Sequence, residues 1–391
     1  MFTSVLLLVL AGLLGPLLAA GRRPLVPVLV GELIAGAILG RTGLHWIEPS
    51  AQPYPIFSAL GFAMLMLGAG TEVDIRSPEL RRAAVRGGLA LLVALVASVP
   101  VGLAISAALH VGHPELLVVL LAGSSAAVAF PTIQERGLTG PSIVVLLGWI
   151  TLADSVTALV MPLTLTGPGH IPEALLGDAL IIAGAAAAII AGRRLFATGL
   201  ADEVKRESKM RGWALQLRIA VLLLLVLAAI AEQSGASVLI AGFAAGIVLR
   251  QFHEPHRLVH QLTGLAAGFF VPAFFVLLGA ALDLRGLVDS PSALVLAVAL
   301  AAGAILVHVV AASVAGRERR LPSGLIASAQ LGLPAAAAAL GLATGALAPP
   351  VAAALVAGGC LTLIPATAGA ALLAGGTKPA DRPAIHQEVE K

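Results

Sequence analysis

Long apolar stretches follow one another along almost the whole chain, and most charged residues lie in the short connections between them. A helix of about 20 apolar residues crosses the hydrocarbon core of a bilayer, and it satisfies its own backbone groups there. The sequence therefore predicts an all-α polytopic membrane protein with about 13 transmembrane helices. The candidate spans are 3–20, 25–41, 54–71, 84–109, 115–134, 142–165, 174–192, 212–231, 235–251, 263–283, 291–315, 322–344 and 349–374.

The composition agrees with this interpretation. Hydrophobic residues make up 59% of the chain and charged residues 12%, which is about half the charged fraction of an ordinary soluble domain. The net charge of +3 does not indicate a nucleic-acid partner, because the basic residues lie in connections between spans. A single cysteine, Cys360, excludes an intramolecular disulfide and a cysteine-based metal cluster. No cofactor motif, nucleophile elbow, His-Glu-x-x-His or P-loop signature occurs, so we expect neither an enzyme nor a cofactor.

The distribution of basic residues predicts the orientation. Every second connection is rich in arginine and lysine, whereas the others carry at most one such residue, Arg41 or Arg285. The positive-inside rule then places the N-terminus outside and the C-terminus in the cytoplasm, in the cell (inner) membrane. The first span resembles a signal peptide, but it lacks a basic start and is followed by Arg22 and Arg23, which oppose translocation. We therefore expect it to be retained.

An internal repeat relates the two halves of the chain. The Leu-Ile-Ala-Gly of residues 33–36 recurs at 239–242, and the Leu-Gly-Ala of 67–69 recurs at 278–280. The three matches, including the two prolines below, are separated by nearly the same interval, which corresponds to seven spans. Spans 1–6 and 8–13 then form two six-helix units with opposite orientation, linked by span 7. This is the inverted-repeat design of secondary transporters.

Proline interrupts corresponding spans of the two units. Pro131 lies in the fifth span and Pro334 in the twelfth. A proline removes a helical hydrogen bond and clashes with the preceding turn, so we expect each span to unwind there and to present carbonyl and hydroxyl oxygens. Such a pair of interrupted spans is the best sequence indicator of a transport site.

Asp154 lies in the middle of the sixth span, next to the first interrupted one. An ionised carboxylate at mid-membrane costs at least ~2.5–3.5 kcal/mol without a partner or water. A neutral carboxyl and a cation-bound carboxylate are therefore the two favourable states. The sequence predicts that protons and cations compete for Asp154.

At this point the chain resembles the monovalent cation:proton antiporter superfamily, in particular its bacterial thirteen-span sodium/proton and potassium/proton exchangers. The segments that carry the resemblance cover nearly the whole chain in the family's order. They are residues 27–40 (PVLVGELIAGAILG), residues 60–68 with Glu72 and Asp74, residues 124–137, Asp154, and residues 274–279 with Asp283.

The resemblance implies a homodimer whose protomers each have a dimerisation domain and a core domain with two crossed, unwound helices. It also implies elevator-like exchange of one cation against protons. The expected organisation is residues 1–83 and 212–290 for the two halves of the dimerisation domain, 84–165 and 291–374 for the two halves of the core domain, 166–211 for a linker helix and cytoplasmic loop, and 375–391 for a short cytoplasmic tail. No dinucleotide-binding domain is expected after residue 375.

Two positions differ from the electrogenic members of this family. Those members have two consecutive aspartates and a lysine that pairs with the first; here the equivalent positions hold Ala153 and His308. Both partners of the ion pair are absent together. We therefore expect electroneutral exchange, with one titrating carboxyl group.

Other polar residues near the interrupted spans are candidates for the same site. The ion- or proton-binding candidates besides Asp154 are Thr132, Ser155 and Ser125, and the possible modulating residues are His308, Glu32, Thr157 and Gln330. Hydrogen bonds to their own helix backbone are an equally good explanation for Ser155 and Thr157. For Glu32, a structural role near the dimer interface is the favoured alternative.

The predicted function is secondary antiport of Na⁺ or K⁺ against H⁺ across the lipid bilayer. Two alternatives stay open at the level of sequence. A transporter of the same architecture could move another solute, such as an organic anion. A transport-inactive membrane sensor would show no cation-driven proton movement.

Overall fold

The computed structural model describes residues 2–19, 28–72, 78–166, 171–198, 204, 206–208, 210–234, 238–251, 261–262, 264–315 and 319–375. This part of the chain is helical and contains no strand. In chain order the helices are α1 (Phe2–Ala19), α2 (Val28–Leu39), α3 (Tyr54–Glu72), α4 (Pro78–Leu109), α5 (Pro114–Ala122), α6 (Ala126–Glu135), α7 (Pro141–Leu165), α8 (Ile171–Ala197), α9 (Leu215–Ser234), α10 (Val238–Gln251), a π-helix (Ala266–Phe270) that continues into α11 (Val271–Ala281), α12 (Leu284–Asp289), α13 (Pro291–Ala315), α14 (Arg320–Ala327), α15 (Gly332–Thr344), α16 (Pro349–Leu361) and α17 (Leu363–Gly375).

Each predicted span coincides with a helix or with two consecutive helices. Seven helical stretches of the described chain are long and apolar enough to cross a membrane, and five further apolar helices are shorter. The prediction of an all-α, multi-pass membrane protein is confirmed. The number of spans stays a prediction, because the shorter helices do not meet the same criterion of length.

The fifth and twelfth spans are both broken. The fifth is divided into α5 and α6 by residues 123–125, and the twelfth into α14 and α15 by residues 328–331. Both breaks lie upstream of the prolines rather than at them. Pro131 is inside α6, and Pro334 is the third residue of α15. The N–H groups of the first helical turn have no intrahelical acceptor, so a proline there removes no helical hydrogen bond. Gly123 ends α5 in an extended conformation.

The inverted repeat is visible in how the helices pack. Helix α2 packs on α11, and the repeat-related α10 packs on α3. A Cβ on Gly36 of α2 would overlap the Val276 carbonyl of α11, and a Cβ on Gly242 of α10 would overlap the Ala63 carbonyl of α3. The repeated Leu-Ile-Ala-Gly segments therefore end on glycines that allow the same close backbone contact in both halves.

The remaining contacts form two groups of helices. Helices α4–α7 pack among themselves and with α13–α17, while α1–α3 pack with α9–α11, and α8 packs on α9 and α10. Helix α7 contacts α3 and α10, and so joins the two groups. Asp154 lies on this helix.

Candidate functional site

The Asp154 side chain meets the first break directly. The backbone N–H of Ala126 donates to Asp154 Oδ2 over 3.0 Å, and Ala126 is the first residue of α6. The start of a helix has free N–H groups and a partial positive charge. The half-buried Asp154 carboxylate therefore lies at the end of α6 that best stabilises a negative charge.

The break itself is short and buried. The Gly123 N–H still donates to the Leu120 carbonyl at the end of α5, over 3.1 Å. Helix α6 then begins after Ser125, whose carbonyl accepts from the N–H groups of Val128 and Ala129. The Ser124 and Ser125 side chains are buried. Three residues of non-helical backbone therefore lie beside Asp154 and away from solvent.

Two side-chain hydrogen bonds join the two breaks. Ser124 Oγ donates to the Ala327 carbonyl at the end of α14 over 2.7 Å. Gln330 Nε2 donates to the Gly123 carbonyl at the end of α5 over 2.6 Å. Each break thus supplies a neutral side chain that satisfies the terminal carbonyl of the other broken helix. The two bonds are related by the same repeat as the helices, which confirms the prediction of two crossed, unwound helices.

Thr362 takes the place of Asp154 in the second half. It lies between α16 and α17, in the span that corresponds to α7. Its Oγ1 accepts the backbone N–H of Gln330, in the second break, over 2.9 Å, as Asp154 accepts that of Ala126 in the first. Sequence reasoning missed Thr362. The repeat intervals of 203 to 211 residues lead from Asp154 to residues 357–365, and Thr362 is the hydroxyl residue within that range.

The three hydroxyl candidates on helices α6 and α7 all donate to their own helix. Thr132 donates to the Val128 carbonyl over 2.8 Å, Ser155 to Thr151 over 2.7 Å, and Thr157 to Ala153 over 2.6 Å. These bonds use the hydroxyl hydrogens and leave oxygen lone pairs available. A role of these oxygens in binding a cation stays a prediction.

His308 is fully buried on α13, against helix α7. Its Nδ1 lies 2.8 Å from the Ala304 carbonyl, which makes Nδ1 the protonated nitrogen. The imidazole ring of His308 stacks on the indole ring of Trp149, with centroids 5.5 Å apart. Trp149 lies on α7, one helical turn before Ala153. Among the described residues, neither His308 Nε2 nor Trp149 Nε1 has a hydrogen-bond partner, although both atoms are buried. The structure therefore places the histidine against an indole on the helix that carries Asp154.

Glu32 lies elsewhere, in the α1–α2–α11 group. Its side chain is buried, and its Oε2 has no hydrogen-bond partner in the part of the chain that the structure describes. Its Cγ faces Gly15 of α1, where an added Cβ would lie 2.6 Å away. The structure therefore places Glu32 between α1 and α2 rather than beside the breaks.

The candidate ligand atoms of this site are the oxygen atoms around the first break. They comprise the Asp154 carboxylate, nearby hydroxyl groups, and carbonyls released by the interrupted helix. Within the described residues there is no group of three or more His, Cys, Asp or Glu side chains that could hold a metal ion. Carboxylate and carbonyl oxygens are suited to hard cations.

Comparisons with known proteins agree on one family. Residues 5–374 match the family described as the transmembrane region of sodium/hydrogen exchangers. The putative Na⁺/H⁺ antiporter YjbQ of Bacillus subtilis is 25% identical over 307 residues, which are 75% of this chain and 49% of that protein. The glutathione-regulated potassium-efflux system protein KefC of Enterobacter sp. is 28% identical over 267 residues, 67% of this chain and 42% of that protein. The chain thus spans about half the length of these curated relatives.

The fold is also similar to a solved structure. The sodium proton antiporter MjNhaP1 from Methanocaldococcus jannaschii superimposes with a TM-score of 0.64, covering 96% of this chain and 98% of that chain, at 18% identity. The superposition covers nearly the whole of both chains. It supports the architecture described above.

Proposed function

Because the chain belongs to the family of transmembrane sodium/hydrogen exchangers, which are monovalent cation/proton antiporters, we propose that it exchanges Na⁺ or K⁺ for H⁺ across the membrane. Protons and cations compete for the Asp154 carboxyl group. Exchange is electroneutral and proceeds by elevator-type alternating access. A role in pH homeostasis follows from such an activity.

The observation that carries this proposal is the position of Asp154 at the start of α6. A carboxylate in the hydrocarbon region is costly when ionised and empty. The N–H of Ala126 and the positive end of α6 offset part of this cost, and a bound proton or cation offsets the remainder. The site is then occupied by one ion or the other whenever it crosses the membrane, so the two fluxes are coupled.

The neighbours of Asp154 support a ratio of one proton to one cation. Position 153 is an alanine, and His308 stacks on Trp149 instead of pairing with a second carboxylate. One titrating carboxyl group exchanges one positive charge for another. No net charge then moves in a cycle.

The arrangement of the two helix groups supports alternating access. A cavity of about 930 Å³ lies between α3 and α11 of one group and α15 of the other. Its walls are mainly apolar, with Arg41 and Glu48 among the polar lining residues. Movement of α4–α7 and α13–α17 against the other group carries Asp154 from one side of the membrane to the other.

We further propose a homodimer in the cell inner membrane, with the N-terminus outside and the C-terminus in the cytoplasm. The outer surface of α1 is apolar and exposed in the single chain, at Leu6, Leu10, Leu13 and Leu17. This surface is suited to lipid or to a second copy. The orientation follows the distribution of basic connections.

Reconstitution tests the function. Purified protein is placed in acid-loaded proteoliposomes that contain a pH-sensitive dye, and NaCl, KCl, LiCl or choline chloride is added outside. We expect the lumen to become alkaline with an alkali cation and to stay unchanged with choline. Absence of proton movement with every alkali cation contradicts the proposal and favours an inactive sensor. Proton movement that needs an organic anion identifies a transporter of another solute.

A further inference from the structure

We infer that Gln330 is a positioning residue for cation binding: its side-chain amide holds the first broken helix in the place that brings the Ala126 N–H to Asp154. The inference rests on the proposed function for its transport consequences. Its structural part, the position of the first break, is testable without transport.

The Gly123 carbonyl is the group on which Gln330 acts. It is beyond the last residue of α5, where backbone carbonyls have no intrahelical donor. Gln330 Nε2 supplies the donor over 2.6 Å. Both residues are buried in the crossing, with Gln330 4% exposed, and a buried carbonyl that loses its donor costs free energy.

Gly123 is coupled to Asp154 through a short length of backbone. Only Ser124 and Ser125 separate it from Ala126, the donor to Asp154. Gly123 also faces α7, because an added Cβ would lie 3.4 Å from Thr157 Oγ1. A change in the position of Gly123 therefore changes the distance between the Ala126 N–H and the carboxylate.

Gln330 is itself held in place. Its backbone N–H donates to Thr362 Oγ1 over 2.9 Å, and Thr362 Oγ1 donates to the Gly359 carbonyl over 2.7 Å. The cavity that Gln330 and Thr362 line has a volume of about 10 Å³, which is roughly the space of one water molecule. The two hydrogen bonds of Thr362 therefore fix the backbone position from which the Gln330 side chain reaches Gly123.

The bond is neutral, which separates its role from that of Asp154. An amide donates to Gly123 at every pH. Four described side chains form hydrogen bonds at the breaks: Ser124, Asp154, Gln330 and Thr362. Of these four, Asp154 is the one that titrates. Replacing the amide with a carboxyl group of the same shape, as in Gln330→Glu, adds a second titrating group. When protonated, the introduced carboxyl group would still donate to the Gly123 carbonyl, whereas in its ionised form it would not.

Transport by three variants tests the inference. We expect Gln330→Leu to raise the apparent KM for Na⁺ about tenfold, which is about 1.4 kcal/mol, with a smaller change in maximal rate. We expect Gln330→Glu to retain exchange at acidic pH and to lose it at alkaline pH, at a pH where the wild type is active. The control is Gln251→Leu, which removes a buried amide from α10 and leaves both KM and the pH profile unchanged.

Hydrogen–deuterium exchange provides the readout that does not depend on transport. In Gln330→Leu, peptides covering residues 123–129 exchange about tenfold faster than in the wild type, and in Gln251→Leu they do not. If the wild type moves no cations but this acceleration occurs, the proposed function fails and the positioning role stands. The inference is overturned if the Gln330 variants have the same KM, pH profile and deuterium uptake as the wild type. If Gln330→Leu does not fold, the pH profile and deuterium uptake of Gln330→Glu decide.

Discussion

At the scale of single residues, Asp154 is a carboxylate among neutral partners, Ser124, Gln330 and Thr362, in the described part of the crossing. Asp154 accepts an N–H at the first break, and Thr362 accepts one at the second. The two positions differ in one respect that matters chemically: the threonine cannot carry a charge. The charge of the site therefore depends on Asp154 and on the ion bound to it.

Replacing Asp154 with asparagine is expected to abolish exchange while preserving the fold. The amide has the same shape, and its oxygen still accepts the Ala126 N–H, but it neither titrates nor attracts a cation. We expect Asp154→Asn proteoliposomes to show no more cation-dependent proton movement than empty vesicles, with an unchanged gel-filtration profile. Substantial exchange by this variant would show that the ion-binding site is elsewhere.

Replacing His308 with glutamine is expected to affect stability more than stoichiometry. The variant loses the stacked contact with Trp149, which is worth about 0.5–1.5 kcal/mol for an aromatic pair. We expect a lower melting temperature and an unchanged ratio of protons to cations. Trp149→Phe, which keeps a ring at position 149, serves as the control and is expected to be less destabilised. A changed ratio in His308→Gln would make the histidine a proton carrier.

At the scale of helices, the repeat is built on close backbone contacts. The helices of the repeat-related pairs α2–α11 and α10–α3 approach closely at glycines. Any side chain at these glycines would overlap a carbonyl of the partner helix. In a bilayer, close packing of this kind drives helix association, since lipid provides no hydrophobic force between helices. The glycines of α2 and α10 therefore stabilise the helix group against which the other group is proposed to move.

Gly36→Ala is expected to destabilise the protein by about 1–3 kcal/mol, as overpacking does in a close-packed interior. The added Cβ would overlap the Val276 carbonyl and force α2 away from α11. The matched control is Gly68→Ala in α3, where an added Cβ meets no atom within 4 Å. Thermal unfolding followed by gel filtration measures both variants. Equal melting temperatures for the two would contradict the proposed packing of α2 on α11.

At the scale of the whole molecule, a single titrating carboxyl group at the site makes the proposed exchange electrically neutral. The exchange of one proton for one monovalent cation moves no net charge, so a membrane potential does no work on the cycle. We expect Na⁺/H⁺ exchange in proteoliposomes to keep the same initial rate, within about twofold, with and without a potassium–valinomycin potential of about 100 mV, which would contribute about 2.3 kcal/mol per charge moved. A rate that follows the potential would show that a second charge participates.

The sequence by itself determined the membrane character, the repeat and the position of the carboxylate. These properties are local: the length of an apolar run, the recurrence of a short segment, and a charged residue within such a run are all visible without knowing which helices touch. The two interrupted spans were also visible, although the prolines placed the unwinding too far along the chain. Helix breaks depend on which backbone groups find partners outside the helix. The carbonyl groups at the two breaks find theirs in the other half, and the N–H groups find theirs in the neighbouring span of the same half.

Only the tertiary structure decided how the polar groups pair. Gln330 and Gly123 are far apart in sequence but 2.6 Å apart at the crossing, between Nε2 and the carbonyl oxygen. The Thr132 hydroxyl donates to the Val128 carbonyl, so its role as a ligand stays a prediction, and Thr362 emerges as the counterpart of Asp154. A buried donor takes an acceptor within hydrogen-bond distance, and this distance is set by how helices from the two repeats pack against one another.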